Sequence, residues 1–293
     1  MVQYSMAFHH CSIIGLGLLG GSLALDLREQ FPAMCITGIA RREVTLAEAA
    51  ALRHEEEPVF TTLTCELNAV RSADLVILCT PIQTIINHIA ELAPVFSTGT
   101  VVTDVGSTKR AIMNAAATVL PPSVHFIGGH PMAGSDRAGL SFARAGLYRG
   151  ATWAFCIPPG EEQAAERLVA LTETLGAHPI TLDAELHDDL VARTSHLPHI
   201  LAGALTNVVL GDAHRHMSGS FIAGGFRDCT RIAAANPAMW RDILLTNRDR
   251  VLLALEAMRA ECDSWEDAIR GCDAPHLEAL LTTAQQRRER LNQ

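Results

Sequence analysis

Three glycines spaced Gly15-x-Gly17-x-x-Gly20 restrict this chain more than any other feature. They follow an apolar run, Cys11-Ser12-Ile13-Ile14, that reads as a buried strand. They open a segment, Gly21 to about Glu29, that reads as a helix. A strand passing straight into a helix through such a turn uses each glycine differently. The first permits the tight turn, the second lets a pyrophosphate approach the backbone, and the third lets helix and strand pack closely. The helix N-terminus then offers free N–H groups and partial positive charge to phosphates. Gly15, Leu16, Gly17, Leu18, Leu19 and Gly20 are therefore read as a dinucleotide-binding turn.

The rest of the first half supports this context. Strands are read at Met34–Ala40, at Asp74–Thr80 ending on Pro81, at Thr100–Asp104 and at Val124–Ile127. Two more follow at Thr152–Ile157 and His178–Leu182, with a helix from Glu161 to Leu175 between them. Short apolar strands separated by helices indicate a parallel sheet covered on both faces. Thr80 and Pro81 end one such strand and join the cofactor-binding set. After Asp183 only helical spacing remains, in Ala184–Leu210, Pro237–Thr246, Arg248–Ala260 and Pro275–Leu291. The fold class expected is α/β. A Rossmann-like, doubly wound sheet over residues 1–182 precedes an all-helical domain over residues 183–293.

Composition narrows the class of function. Hydrophobic residues make up 48% of 293 and the formal charge is −9, which supplies a core and argues against nucleic acid or an anionic membrane as partner. No apolar run is long enough to span a bilayer, and Met1–His10 lacks the pattern of a secretory signal. Eight cysteines without a CxxC pair read as reduced, mostly buried thiols in a cytoplasmic protein. His9-His10 and His214-Arg215-His216 lack the spacing of a metal centre, and no metal is expected.

Cofactor choice is read at the end of the second strand. An NAD site carries an acidic residue about 20 positions after the glycines. Here Ala40 stands in that place and Arg41 and Arg42 follow. Guanidinium groups suit a 2′-phosphate, so NADP is favoured over NAD.

Gly128-Gly129-His130-Pro131 places a histidine among glycines that tolerate positive φ, and imidazole titrates near neutrality. With it stand, in order, Gly15–Gly20, Asp104-Val105-Gly106-Ser107-Thr108-Lys109, Gly129–Gly134, Thr194-Ser195-His196-Leu197-Pro198-His199, Phe226–Ala233 and Met239–Ile243. The series resembles the prephenate/arogenate dehydrogenase (TyrA) family across about residues 10 to 290.

That resemblance implies an oxidative decarboxylation. Hydride leaves C4 of a cyclohexadienol ring for the nicotinamide, the 4-hydroxyl loses its proton, and the ring carboxylate departs as CO2. His130 matches the family histidine that takes the hydroxyl proton, and Ser107 the serine that orients it. Ser107 also reads as the N-cap of a helix over Thr108–Thr118. Arg231 matches the arginine that holds a substrate carboxylate. Arg193 and His196, spaced i, i+3 on one helical face, match residues lining the same pocket, although Arg193 also reads as an ion pair with Asp188 or Asp189. His199 reads as structural, satisfying a break at Pro198. Asp136 stands where an acidic group would favour the ammonium of arogenate over the keto group of prephenate. The family also implies a homodimer through the helical domain.

Two alternatives stand beside it. One is a β-hydroxyacid or 6-phosphogluconate-type dehydrogenase, which uses a lysine in its helical domain, whereas the one lysine here is Lys109. The other is a catalytically silent NADP-binding homologue.

Overall fold

The computed structural model describes residues 8–133, 137, 139–211 and 221–291. Strand β1 (His10–Ile14) runs into helix α1 (Leu18–Gln30), then β2 (Cys35–Ile39) and α2 (Glu43–Ala50). A two-stranded hairpin, β3 (Arg53–His54) with β4 (Glu57–Pro58), precedes the short β5 (Thr62–Thr64). There follow β6 (Leu75–Leu78), α3 (Ile82–Leu92), β7 (Val101–Asp104), α4 (Arg110–Val119), β8 (His125–Pro131), β9 (Thr152–Cys156), α5 (Glu162–Thr174) and β10 (His178–Thr181).

The main sheet has the order β10-β9-β8-β7-β6-β1-β2-β5. From β5 to β8 every pairing is parallel, in the 3-2-1-4-5-6 sequence of a doubly wound dinucleotide fold. Strand direction then reverses. β9 pairs antiparallel with β8, and β10 runs parallel to β9. The all-parallel sheet expected from the sequence is thus parallel over six strands only. An apolar strand buried on both faces looks the same in sequence whichever way it runs.

Side chains alternate between two cores, as pleating requires. Cys11, Ile13, Leu75 and Ile77 enter one, and Ile14, Val76 and Leu78 the other. Both cores draw on helices: α1 and α5 supply Leu23, Leu27, Leu168 and Leu171 to the first, and α3 and α4 supply Ile85, Ile89 and Ile112 to the second.

Beyond the sheet the chain is helical where described. The expected single helix over Ala184–Leu210 is three pieces: α6 (Ala184–Val191), a π-helical turn (Ala192–His196) and α7 (Leu197–Leu210). Pro198 lies in the first turn of α7, where a missing N–H costs nothing, so it starts a helix instead of breaking one. Then come α8 (Gly224–Thr230), a 3₁₀ turn (Arg231–Ala234) and α9 (Pro237–Thr246), whose N-cap Asn236 accepts from the N–H groups of Ala238 and Met239. The described residues up to Asn247 form one compact unit that takes in α6 to α9 together with the sheet.

The second unit, residues 248–293, contains α10 (Arg248–Arg270) packed on α11 (Ala274–Arg290). α10 runs ten residues beyond the Ala260 read from the sequence, through a stretch rich in Glu and Asp whose polarity hid its helical period. All eight cysteines are free, but only Cys11 and Cys156 are buried, while Cys65, Cys229, Cys262 and Cys272 are exposed. The expectation of mostly buried thiols does not hold, because Cys65 lies in a strand-exit loop, Cys229 and Cys262 on exposed helical positions and Cys272 in the turn between α10 and α11.

Candidate active site

The parallel strands β1, β6, β7 and β8 all end on one edge of the sheet, and strand order reverses between β1 and β6. Ligands of open α/β sheets bind at such an edge. The chain exits Gly15–Gly20, Cys79–Pro81 and Val105–Lys109 lie there with the last residues of β8, His130 and Pro131.

Gly15 adopts φ +100°, and a Cβ on it would lie 2.6 Å from the Cys79 carbonyl oxygen and 2.8 Å from the Thr80 methyl. Gly20 faces the turn so closely that a Cβ would stand 2.1 Å from the Gly15 carbonyl oxygen. Gly17 differs, since a Cβ there meets nothing within 4 Å. It is the N-cap of α1, and no side chain caps that helix, so the N–H groups behind Leu18 and Leu19 face the same open space. Thr80 Oγ1, next to Gly15, is buried without a partner among the described residues. An uncapped helix start, an open glycine and an orphaned hydroxyl together fit a dinucleotide phosphate. Ala40 directly follows β2 and is buried, with its N–H bonded to the Thr64 carbonyl, whereas Arg41 and Arg42 are exposed.

His130 lies within β8, paired with Ala154 of β9, and not in a turn after a shorter strand. The antiparallel ladder with β9 extends β8 through Pro131. Its preceding glycines serve closeness, not positive φ. A Cβ on Gly129 would lie 2.5 Å from the Asp104 carbonyl oxygen, and one on Gly128 2.6 Å from Met113 Sδ.

His130 Nδ1 is 2.9 Å from His187 Nε2, and His187 Nδ1 is 2.8 Å from Asp188 Oδ1. Both partners sit on the buried face of α6. Asp188 also accepts the backbone N–H groups of Lys109 (2.7 Å) and Arg110 (3.0 Å) and the Arg110 Nε–H (3.3 Å). It thereby caps α4, a duty the sequence suggested for Ser107. The helix starts at Arg110, two residues later than expected, and Ser107 remains half-buried in the loop before it. Burial acts to raise the Asp188 carboxyl, but the hydrogen bonds from His187, Lys109 and Arg110 outweigh it and hold the group below the ordinary value. His130 is pushed well below the usual imidazole range, first by burial and then by His187, Lys109 and His196. It is neutral at pH 7.

Lys109 is fully buried. Its ammonium contacts the Asp104 carboxylate and donates to the Gly129 carbonyl at 2.7 Å. Asp104 in turn accepts the N–H groups of Gly106 (2.8 Å) and Gly129 (3.1 Å). The pair staples the exits of β7 and β8, and so the loops of Ser107 and His130.

His196 is buried. Its Nδ1 is 3.3 Å from Asn247 Nδ2, and its Nε2 has no partner among the described residues. Burial lowers its pKa to about 4. His199 stacks flat on Trp240 with ring centroids 3.5 Å apart. Arg193 does not share His196's environment. Its side chain is 65% exposed and pairs with Asp189 at 3.2 Å. Both residues lie in the π-helical turn, whose winding of more residues per turn changes their angular separation and removes the common face expected from i, i+3 spacing. Arg231 is exposed at the start of its 3₁₀ turn, with no ion-pair partner among the described residues. Asp136 lies outside the described residues. His187, Asp188, Asp104, Lys109 and Asn247 were not singled out by the sequence as parts of the site. Their one sequence signal is phase: His187, Asp188 and Val191 share the inward face of an amphipathic helix, where a polar pair demands partners.

The sequence carries two matches to family descriptions: "Prephenate dehydrogenase, nucleotide-binding domain" over residues 23–181 and "Prephenate dehydrogenase, dimerization domain" over residues 183–283. The chain belongs to the prephenate dehydrogenase family. A prephenate dehydrogenase of Bacillus subtilis is 35% identical over 284 residues, covering 95% of this chain and 75% of the relative. Two crystal structures share the fold at full length. Synechocystis arogenate dehydrogenase is 30% identical with TM-score 0.82, covering 96% of this chain and 99% of the other. The prephenate dehydrogenase of A. aeolicus, in complex with hydroxyphenyl propionate and NAD+, is 28% identical with TM-score 0.87, covering 97% and 99%. Among the described residues no helix is long and apolar enough to cross a membrane.

Proposed function

We propose that this protein oxidatively decarboxylates prephenate, arogenate or both, yielding 4-hydroxyphenylpyruvate or tyrosine, as a step of tyrosine biosynthesis. The observation that carries the reading is the placement of His130, whose ring is held through Nδ1 by His187 Nε2 at 2.9 Å and whose Nε2 has no partner among the described residues. It stands on the same sheet edge as the dinucleotide turn. His130 Nε2 accepts the proton of the substrate 4-hydroxyl as hydride leaves the ring, and Ser107 holds that hydroxyl in line. A nicotinamide dinucleotide in the Gly15–Gly20 turn supplies the hydride acceptor. Arg41 and Arg42 favour NADP over NAD there, with Ala40 offering no carboxylate to a ribose hydroxyl.

Arg231, exposed and without an ion-pair partner among the described residues, supplies a guanidinium for a substrate carboxylate. With Asn247 donating to His196 Nδ1, the proton of His196 is on Nε2, a buried donor that a bound oxygen would satisfy. Arg193 reaches substrate only by leaving Asp189, and Asp136 completes the set by sequence position. Lysine chemistry of the β-hydroxyacid type has no group to use, because the one lysine is buried and engaged by Asp104 and Gly129.

Residues 1–182 serve as the dinucleotide-binding domain and 183–293 as the substrate and dimerisation domain, the division at which the two family descriptions meet. Exposed Leu252, Leu253, Ile269 and Leu281 provide apolar surface for a homodimer. The test is His130→Asn. It keeps dinucleotide affinity and loses about 10²-fold or more in kcat. Undiminished turnover removes His130 from the chemistry.

A further inference from the structure

We propose that His187 and Asp188 are positioning residues for His130. They fix its proton on Nδ1, share the positive charge that forms when Nε2 takes a proton, and tie the Ser107 loop to the base through one carboxylate. This rests on reading His130 as the base.

The argument is one of proton counting. Asp188 is fully buried and receives four N–H groups, from Lys109, Arg110 (backbone and Nε) and His187. An ionised carboxylate is acceptor-only, so His187 Nδ1 carries a hydrogen. With that hydrogen as the only one on the His187 ring, Nε2 is a lone pair, and the 2.9 Å contact then has His130 Nδ1 as donor and leaves His130 Nε2 as acceptor. The other His130 tautomer would set two lone pairs against each other.

When His130 gains a second proton, its Nδ1–H points along a chain that ends on a buried negative charge. That is the logic by which a carboxylate orients and supports a catalytic imidazole, here extended by one ring. The groups facing His130 are His187, Lys109 and His196, and Lys109 is already compensated by Asp104. Asp188 is thus the negative group that reaches the base by hydrogen bonds. It also binds the N–H groups of Lys109 and Arg110, so the loop carrying Ser107 and the imidazole share one anchor. A helix cap alone would not need the His187 ring between the cap and the base.

The experiment is two-bond ¹H–¹⁵N correlation spectroscopy of the histidine rings in the full-length protein at neutral pH. His130→Asn identifies the His130 signals. The expected spectrum is the Nδ1–H tautomer in the wild type and a mixture in His187→Phe. In parallel, His187→Phe loses about 10²-fold in kcat with dinucleotide Kd unchanged, and the acidic limb of its pH–rate profile moves. An Nε2–H tautomer in the wild type overturns the proposal. So does a His187→Phe variant with wild-type tautomer, kcat and pH profile. If His187→Phe does not fold, the wild-type tautomer alone decides. The Nδ1–H tautomer in a protein that turns over neither prephenate nor arogenate upholds the pairing and overturns the reaction.

Discussion

Gly17 and Gly20 sit in one turn, yet their replacement by alanine should fail in opposite ways. At Gly20 the added methyl would stand 2.1 Å from the Gly15 carbonyl oxygen and 3.2 Å from Cys79 Cβ. The obstacle is backbone in the turn that leaves β1, tied to β2 by the Gly15 N–H bond to the Ile39 carbonyl, so it cannot rotate aside. Overpacking costs about 1–3 kcal/mol, and a rigid backbone neighbour puts this site at about 3. A unit of 247 residues loses about 2–4 °C of Tm per kcal/mol, giving a fall of about 6–12 °C. At Gly17 the methyl enters open space on a backbone of φ −112°, ψ −154° that alanine accepts. A worse N-cap costs about 0.5–1 kcal/mol, and the stiffer unfolded chain returns about 0.4–1, so stability barely moves. The space it fills is where a pyrophosphate must approach the amides, so dinucleotide affinity should drop at least about tenfold, or about 1.4 kcal/mol. Urea unfolding read by circular dichroism and fluorescence titration with NADP separate the two. Gly20→Ala within about 0.5 kcal/mol of wild type, or Gly17→Ala with unchanged affinity, would refute this use of the glycines.

Two further predictions concern charge. His196 is held near pKa 4, against about 6.5 in the unfolded chain. Between those values the unfolded state binds a proton that the folded state refuses. Stability is therefore full above about pH 6.5 and declines by about 1.4 kcal/mol per pH unit from this group as pH falls toward 4, with lowered His130 adding in the same direction. Urea midpoints across that range test it, and a flat profile contradicts the buried neutral rings. Replacing Arg41 and Arg42 together by alanine should weaken NADP at least about tenfold and leave NAD unchanged, and equal losses for both would remove the 2′-phosphate argument.

Much of this was legible in the sequence for a physical reason. The strand–glycine–helix junction allows few geometries, so the turn, the strands on either side and the sheet edge could be placed from residues 11–104 alone. His130 and Ser107 came from the family resemblance, and the structure supplied their surroundings. Three things were hidden. Strand polarity left no trace, because β9 is as apolar as its parallel neighbours. The π-helical turn at Ala192–His196 carries no compositional mark, so Arg193 and His196 looked coplanar when one is on the surface and the other is buried. The Asp188 cap joins residues 78 and 79 positions apart, so neither its role nor the displacement of Ser107 from the helix start could be seen locally.

The most direct test of the account is the initial rate of NADP and of NAD reduction with prephenate and with arogenate, on the wild-type protein. The account predicts turnover with at least one of the two acids, faster with NADP, and its loss in His130→Asn. Dinucleotide binding without turnover in any of the four pairings would contradict it.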